Sequence, residues 1–468
     1  MVILMNLSKA ARSLSLCLCS SVLMTSLATQ VVAKPSVSHS KGAVKLNASL
    51  SHGTLPNYAS SEVYASIKLT ASDFVSEDRA PLNVSLVMDR SSSMAGDKIK
   101  QSKLAALALL DQLGAQDRIA IVSYGSNVSV EVPSTMVTSK NRKKLKQVIE
   151  NMEVGGMTNL SGGFQQGCDI VAKSLSKESV NRVILMSDGQ ANRGMTEPGQ
   201  LAGLAGECFE RGVSATTIGL GLNYNEDVMT QMAVAGAGNY YFIDDEKAMA
   251  QVFEKEATGL SATVAKKAKL VIDLAPGVEL LKLHGYKYKE SKNKVTINLA
   301  EFSSRQHKDI LMHLSVSAQK SGERPVLGMS LTYEDLLVAK KTSKTAKLTA
   351  TVSADEKVVA KNVDRKVYSH AQKIEVAETM KLAMDEYEKG NQEKATQLIE
   401  QQRSAMKQAS QTYDFEDADL DSYKRVDKEL EETNKTIQQN APSSAPAKKL
   451  RKAKKKRSYD IQNAEELF

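Results

Sequence analysis

Tryptophan is absent from the 468 residues, and aromatic side chains of all kinds make up only 5%. That scarcity argues against an aromatic-lined platform for sugars or stacked bases. Cysteine is nearly as rare. Of four, Cys17 and Cys19 fall near the N-terminus, leaving Cys168 and Cys208 in the body of the chain. Beyond the first thirty or so positions no run is long and apolar enough to span a bilayer. There is no His-Glu-x-x-His pair to hold a catalytic zinc and no Gly-x-x-x-x-Gly-Lys phosphate loop. Gly219-x-Gly221 lacks the third glycine of a dinucleotide loop, so it reads as a turn. His284, His307, His313 and His370 stand apart in strand and helix patterns, and we read them as structural. No nucleophile, base or cofactor motif is evident, so the chain is not expected to be an enzyme.

What is present begins with an export signal. Lys9 and Arg12 precede the uncharged run Leu14 to Ala28, and Ser26-Leu27-Ala28 and Val31-Val32-Ala33 both suit cleavage, placing a signal peptide over 1–33. Leu16 and Leu18 precede the two early cysteines where a lipoprotein site needs small residues. The expected location is therefore outside the cytoplasm, either periplasmic or secreted. Such a compartment permits a Cys168–Cys208 disulfide, although both cysteines fall in helical stretches and two buried free thiols are the plainer reading. The net charge of +8 is local: Lys448 to Arg457 (KKLRKAKKKR) holds eight basic residues and no acidic one, and without them the balance is zero. This run reads as a disordered tail, either simply solvated or able to attach to an anionic envelope surface. Nucleic acid is a poor partner for an exported chain.

At this length two to four domains are expected. Residues 40–80 alternate in short bursts, as in VKLNASL and EVYASIKLTAS, which suggests strands. From residue 82 the rhythm changes to apolar strands (LNVSLVMD, RIAIVSY, RVILMSD, SATTIGLG, NYYFID) separated by helical stretches up to 258. That is the pattern of a mainly parallel sheet covered on both faces, an α/β doubly wound domain. Alternation returns over 266–355 (KLVIDLA, NKVTINLA, DILMHLSVSA). The economical architecture joins 40–80 and 266–355 into one β-sandwich, with the α/β domain inserted between them. Residues 361–440 are helical, with a break at Gly390-Asn391, and 441–468 form a linker and the basic tail.

Three separated segments carry the candidate chemistry. LVMDRSSSM places Asp89, Ser91 and Ser93 at alternate positions as the chain leaves a strand, GGMTNLSGG places Thr158 in a glycine-rich loop, and ILMSDGQANRG places Asp188 at the end of a buried strand. Carboxylates and hydroxyls are hard oxygen donors, suited to Mg²⁺, Mn²⁺ or Ca²⁺ rather than to zinc or copper. In open α/β sheets they would converge beyond the carboxyl ends of the strands. Together the three segments, over roughly 83–257, resemble the metal-ion-dependent adhesion site of a von Willebrand factor type A domain. The resemblance implies a divalent cation, Mg²⁺ first, held by Ser91, Ser93 and Thr158 directly and by Asp89 and Asp188 directly or through water. Ser92 stands where that family often has glycine. The resemblance also implies that one coordination position is left for a partner's Asp or Glu carboxylate. The expected function is cation-dependent protein binding or adhesion. The alternative is a non-catalytic accessory subunit that recruits or helps assemble an envelope enzyme complex.

Overall fold

A computed structural model describes residues 36–39, 41–57, 59–73, 79–176, 178–188, 190–243, 246–412 and 417–462. The signal peptide expected over 1–33 lies outside the described residues.

The chain opens with β1 (Ser36–His39), β2 (Val44–Leu50), β3 (Thr54–Pro56) and β4 (Ala59–Ala71). In β2, Val44, Leu46, Ala48 and Leu50 are buried while Lys45 and Asn47 point outward, the alternation of a half-covered sheet. There follow β5 (Leu82–Asp89), α1 (Asp97–Gln112), β6 (Arg118–Tyr124), β7 (Val128–Met136), α2 (Ser139–Glu150), α3 (Leu160–Lys173), β8 (Val180–Ser187), α4 (Pro198–Glu210), β9 (Ser214–Leu220), α5 (Glu226–Ala235), β10 (Ala237–Ile243) and α6 (Glu246–Ser261). These build a six-stranded sheet in the order β10-β9-β8-β5-β6-β7. Every pairing is parallel except that of the edge strand β7 with β6. Every residue of β5 is buried, because helices cover both faces of the sheet.

On one face α3 comes unusually close. A Cβ at Gly163 would stand 2.6 Å from Tyr124 Cδ1, and one at Gly167 would run into Val87 and Ser85, so glycine lets this helix settle against β5 and β6. Cys168 of α3 and Cys208 of α4 form a disulfide, with their Cα atoms 6.0 Å apart. Spacing had left that pairing open.

Seven strands follow: β11 (Thr263–Leu274), β12 (Val278–Leu283), β13 (Tyr288–Ser291), β14 (Lys294–Ser303), β15 (His307–Ala318), β16 (Gly322–Asp335) and β17 (Lys340–Ser353). They combine with the opening strands into two sheets, β1-β2-β4-β15-β12 and β13-β14-β11-β16-β17-β3. One apolar core, including Leu46, Ile67, Leu270, Ile310 and Leu331, lies between them. The α/β domain is therefore inserted into a sandwich built from both flanks. An ion pair joins the two: Glu301 of β14 meets the guanidinium of Arg182, which is only 3% exposed at the start of β8. Glu301 also accepts a hydrogen bond from Ser214 Oγ at 3.1 Å.

The C-terminal helices are α7 (Glu356–Lys361), α8 (Arg365–Glu388), α9 (Gln392–Thr412), α10 (Asp417–Gln439) and α11 (Ala445–Gln462). Helix α8 lays Val367, Ala371 and Ile374 over Tyr64 and Leu311 of the sandwich. His284 is buried there, with Nδ1 2.9 Å from Glu378 of α8.

Helix α11 corrects the expectation of a disordered basic tail. Lys452, Lys455 and Tyr459 lie on one face of it at helical spacing, and all three are buried. Lys452 Nζ is 2.7 Å from Glu226 Oε2 and sits 3.7 Å above the Tyr224 ring. Lys455 Nζ lies 2.7 Å from Asp385, 3.3 Å from both Asp227 and Glu388, and 3.7 Å from Glu226. Tyr459 donates to the Gly238 carbonyl at 3.1 Å and packs edge-on against Tyr240. Arg451, Lys454, Lys456 and Arg457 also meet carboxylates of this chain. The charge run is turned inward, onto the acidic ends of α5 and α8.

Candidate metal centre

The parallel register sets the site. Met88 of β5 is paired with Met186 of β8, so the next residues, Asp89 and Ser187, leave the sheet side by side, with Asp188 one further on. Both aspartates are fully buried at the carboxyl edge of the sheet. After Asp89 the chain turns back on itself, and the Ser91 N–H donates to Asp89 Oδ1 at 2.8 Å. Ser91 Oγ lies 3.0 Å from Ser93 Oγ, and Ser93 Oγ donates to Asp188 Oδ1 at 2.8 Å. Four of the five expected residues are thus joined in one chain of contacts. Ser91 is buried and Ser93 is exposed, so the cluster opens outward.

Thr158 is brought to the same edge by its loop. The Gly155 N–H donates to the Arg90 carbonyl at 2.7 Å, the Ser92 N–H donates to the Gly156 carbonyl at 3.1 Å, and the Gly156 N–H donates to Ser92 Oγ at 3.1 Å. Serine in place of the family's frequent glycine therefore supplies a stitch between the two loops. The Thr158 N–H donates to Asn192 Oδ1 at 2.8 Å, and its carbonyl accepts from the Asn192 N–H at 3.2 Å. Among the described residues its hydroxyl makes no hydrogen bond to the other four.

Four further residues were not read from the sequence. Ser187 Oγ donates to Asp89 Oδ2 at 2.9 Å. Asn192 pins Thr158 from the loop after Asp188. Tyr124, paired with Asp89 in the sheet, donates to the Met186 carbonyl at 2.7 Å beneath the site. Lys98, near the start of α1, forms an ion pair with Asp188 and donates to the Ser93 carbonyl at 3.2 Å. Tyr124 carried a signal, since a tyrosine ending an otherwise apolar buried strand needs a partner for its hydroxyl.

Burial pushes the Asp89 carboxyl above its ordinary range, and the neighbouring Asp188 adds to this, while hydrogen bonds from Ser91 and Ser187 pull the other way. Asp188 already meets the Lys98 ammonium, so a metal ion held between the two carboxylates would compete with it. The donor chemistry, all oxygen, fits a hard divalent ion.

The family model for the von Willebrand factor type A domain matches residues 83–255, which span the α/β domain and all five site residues. The chain carries a von Willebrand factor type A domain. Over 262 residues it is 28% identical to the uncharacterized protein YfbK of Escherichia coli (strain K12), covering 54% of this chain and 45% of that protein. Over 164 residues it is 28% identical to human inter-alpha-trypsin inhibitor heavy chain H3, covering 34% of this chain and 18% of that one. The chain thus spans less than half the length of these relatives. A von Willebrand factor type A protein from Catenulispora acidiphila superposes with a TM-score of 0.69 at 16% identity, over 90% of this chain and 98% of that one. The ArnB paralog VWA2 from Sulfolobus acidocaldarius does so at 0.59 and 18% identity, with the same coverage. At such identities the likeness concerns fold, and it extends beyond the type A domain to the sandwich and helices around it.

Proposed function

We propose that this chain is an exported binding protein whose type A domain holds a divalent cation, Mg²⁺ first, and uses it to capture an Asp or Glu carboxylate of a partner protein. The observation that carries the reading is the convergence of Asp89, Ser91, Ser93 and Asp188 within hydrogen-bond distance at one sheet edge. The Thr158 loop is tied to the same turn. When bound, the cation supplies a positive centre with affinity for an incoming carboxylate. Asp89 and Asp188 set its charge, and the hydroxyls of Ser91, Ser93 and Thr158 complete the protein's share of donors. The buried disulfide and the signal-like N-terminus support an oxidising, extracytoplasmic setting.

Isothermal titration of the full chain with Mg²⁺ and Mn²⁺ tests the first half of the proposal. Asp89→Ala should weaken cation binding by at least about 100-fold while the circular dichroism spectrum stays unchanged. Capture of partners from the native envelope, with Mg²⁺ or with EDTA, tests the second half. The proposal fails if neither Asp89→Ala nor EDTA alters what is captured.

A further inference from the structure

The opposite edge of the type A domain carries a groove. Where β10, α5 and α6 meet the sandwich lies a cavity of about 340 Å³, lined among others by Arg182, Lys255, Lys287, Glu301 and Lys308. A second cavity of about 260 Å³, reaching Lys381 of α8, shares Lys287 and Tyr459 with the first, so the two form one groove. Its volume is that of small-molecule clefts.

The charges along this groove are unbalanced. Lys255, Lys287 and Lys381 have no ion pair with a carboxylate among the described residues, whereas the nearby Lys455 is enclosed by four. The three acidic side chains that line the groove are already engaged, Asp227 by Lys455. Glu301 serves Arg182 and Ser214, and Glu256 accepts from Thr216, Asn239 and Tyr241. Arg182 is itself almost wholly buried, and its Nε makes no hydrogen bond; the Glu256 carboxylate is 3.8 Å away. Like charges converging on a cleft with protein walls repel one another and concentrate a positive potential there. An anion is the complement.

We propose that this groove binds a small, elongated polyanion carrying carboxylate or phosphate groups. One end lies between Lys255 and Lys308, Lys287 stands at the middle, and Lys381 meets the other end. The site lies at the amino-terminal edge of the sheet, away from Asp89 and Asp188, so it is independent of the proposed cation.

Citrate and inorganic tripolyphosphate are the probes, titrated calorimetrically into the full chain without divalent cations, so that no metal can bridge them. Binding at a single class of site is expected for at least one probe, and the tighter of the two identifies the preferred group. Lys287→Gln should weaken it about ten-fold, and Lys255→Gln with Lys381→Gln at least as much. The control pair Lys143→Gln and Lys144→Gln, on the exposed face of α2, should change it less than about two-fold. Binding of neither probe would overturn the proposal. So would equal weakening by the control pair, which would reduce the effect to general charge.

Discussion

Replacing Lys455 by methionine tests whether the docking of α11 is electrostatic in the way its geometry implies. The ammonium is 2% exposed and lies within 4 Å of four carboxylates. Burial opposes its charge, yet Asp227, Glu226 and Asp385 together hold its pKa well above the ordinary lysine value. Methionine fills much of the same space but leaves the acidic groups facing one another. Removing one member of a buried ion pair costs about 3–5 kcal/mol. Here Asp227, Asp385 and Glu388 are 35%, 25% and 45% exposed, so water relieves part of the loss. A cost of about 2–3 kcal/mol remains.

Hydrogen exchange along α11 reads this directly. Protection of its amides should fall about 30- to 160-fold near neutral pH. Acid should close the gap. Burial raises the Glu226 carboxyl, but Lys452 and Lys455 overcome this and hold it below its ordinary value. Its contribution is therefore complete above the ordinary carboxylate range and disappears as pH falls through the lowered folded-state value. The variant and the parent should converge only once pH has fallen below that lowered value. Adding Asp385→Asn should restore part of the protection. Unchanged protection in Lys455→Met, or a double variant as weak as the sum of the singles, would refute the reasoning.

Two other outcomes follow from the geometry. Cys168→Ser with Cys208→Ser opens a link between residues 40 positions apart and should cost about 4 kcal/mol by loop entropy, read as a lower denaturant midpoint that reductant reproduces in the parent. Lys98→Met removes the ammonium that pairs with Asp188, so calorimetry should show cation binding about 5- to 10-fold tighter; weaker binding would mean that Lys98 supports the site rather than competing for it.

The α/β fold was legible because burial on both faces gives strands such as LNVSLVMD and RVILMS a continuous apolar character. Asp89, Ser91, Ser93 and Asp188 were legible for a related reason: their places at strand ends depend on local spacing. What spacing does not encode is which distant side chain faces them. Ser187 is adjacent to Asp188 in the chain, yet it donates to Asp89, 98 positions away. Strands β12 and β13 escaped notice because their residues are largely exposed and lack alternation. Helix α11 was misread because lysines occupy the face that apolar residues usually take. A charged run reads as solvated unless its counter-charges, here on α5 and α8, are known to be opposite it.

The way the sandwich is assembled has a consequence for how the chain acquires its shape. Strand β4 pairs along its length with β15, and Thr70 meets His307 across 237 positions. A chain emerging amino end first presents β2 and β4 long before that partner exists. The intervening type A domain holds most of its core from its own strands and helices, with Tyr459 of α11 added from the carboxyl flank. Once folded, it replaces a long flexible loop with a compact body, which lowers the entropic cost of bringing β4 and β15 together. The sheet that holds β4 can be completed only after β15 has been made, on the far side of the inserted domain.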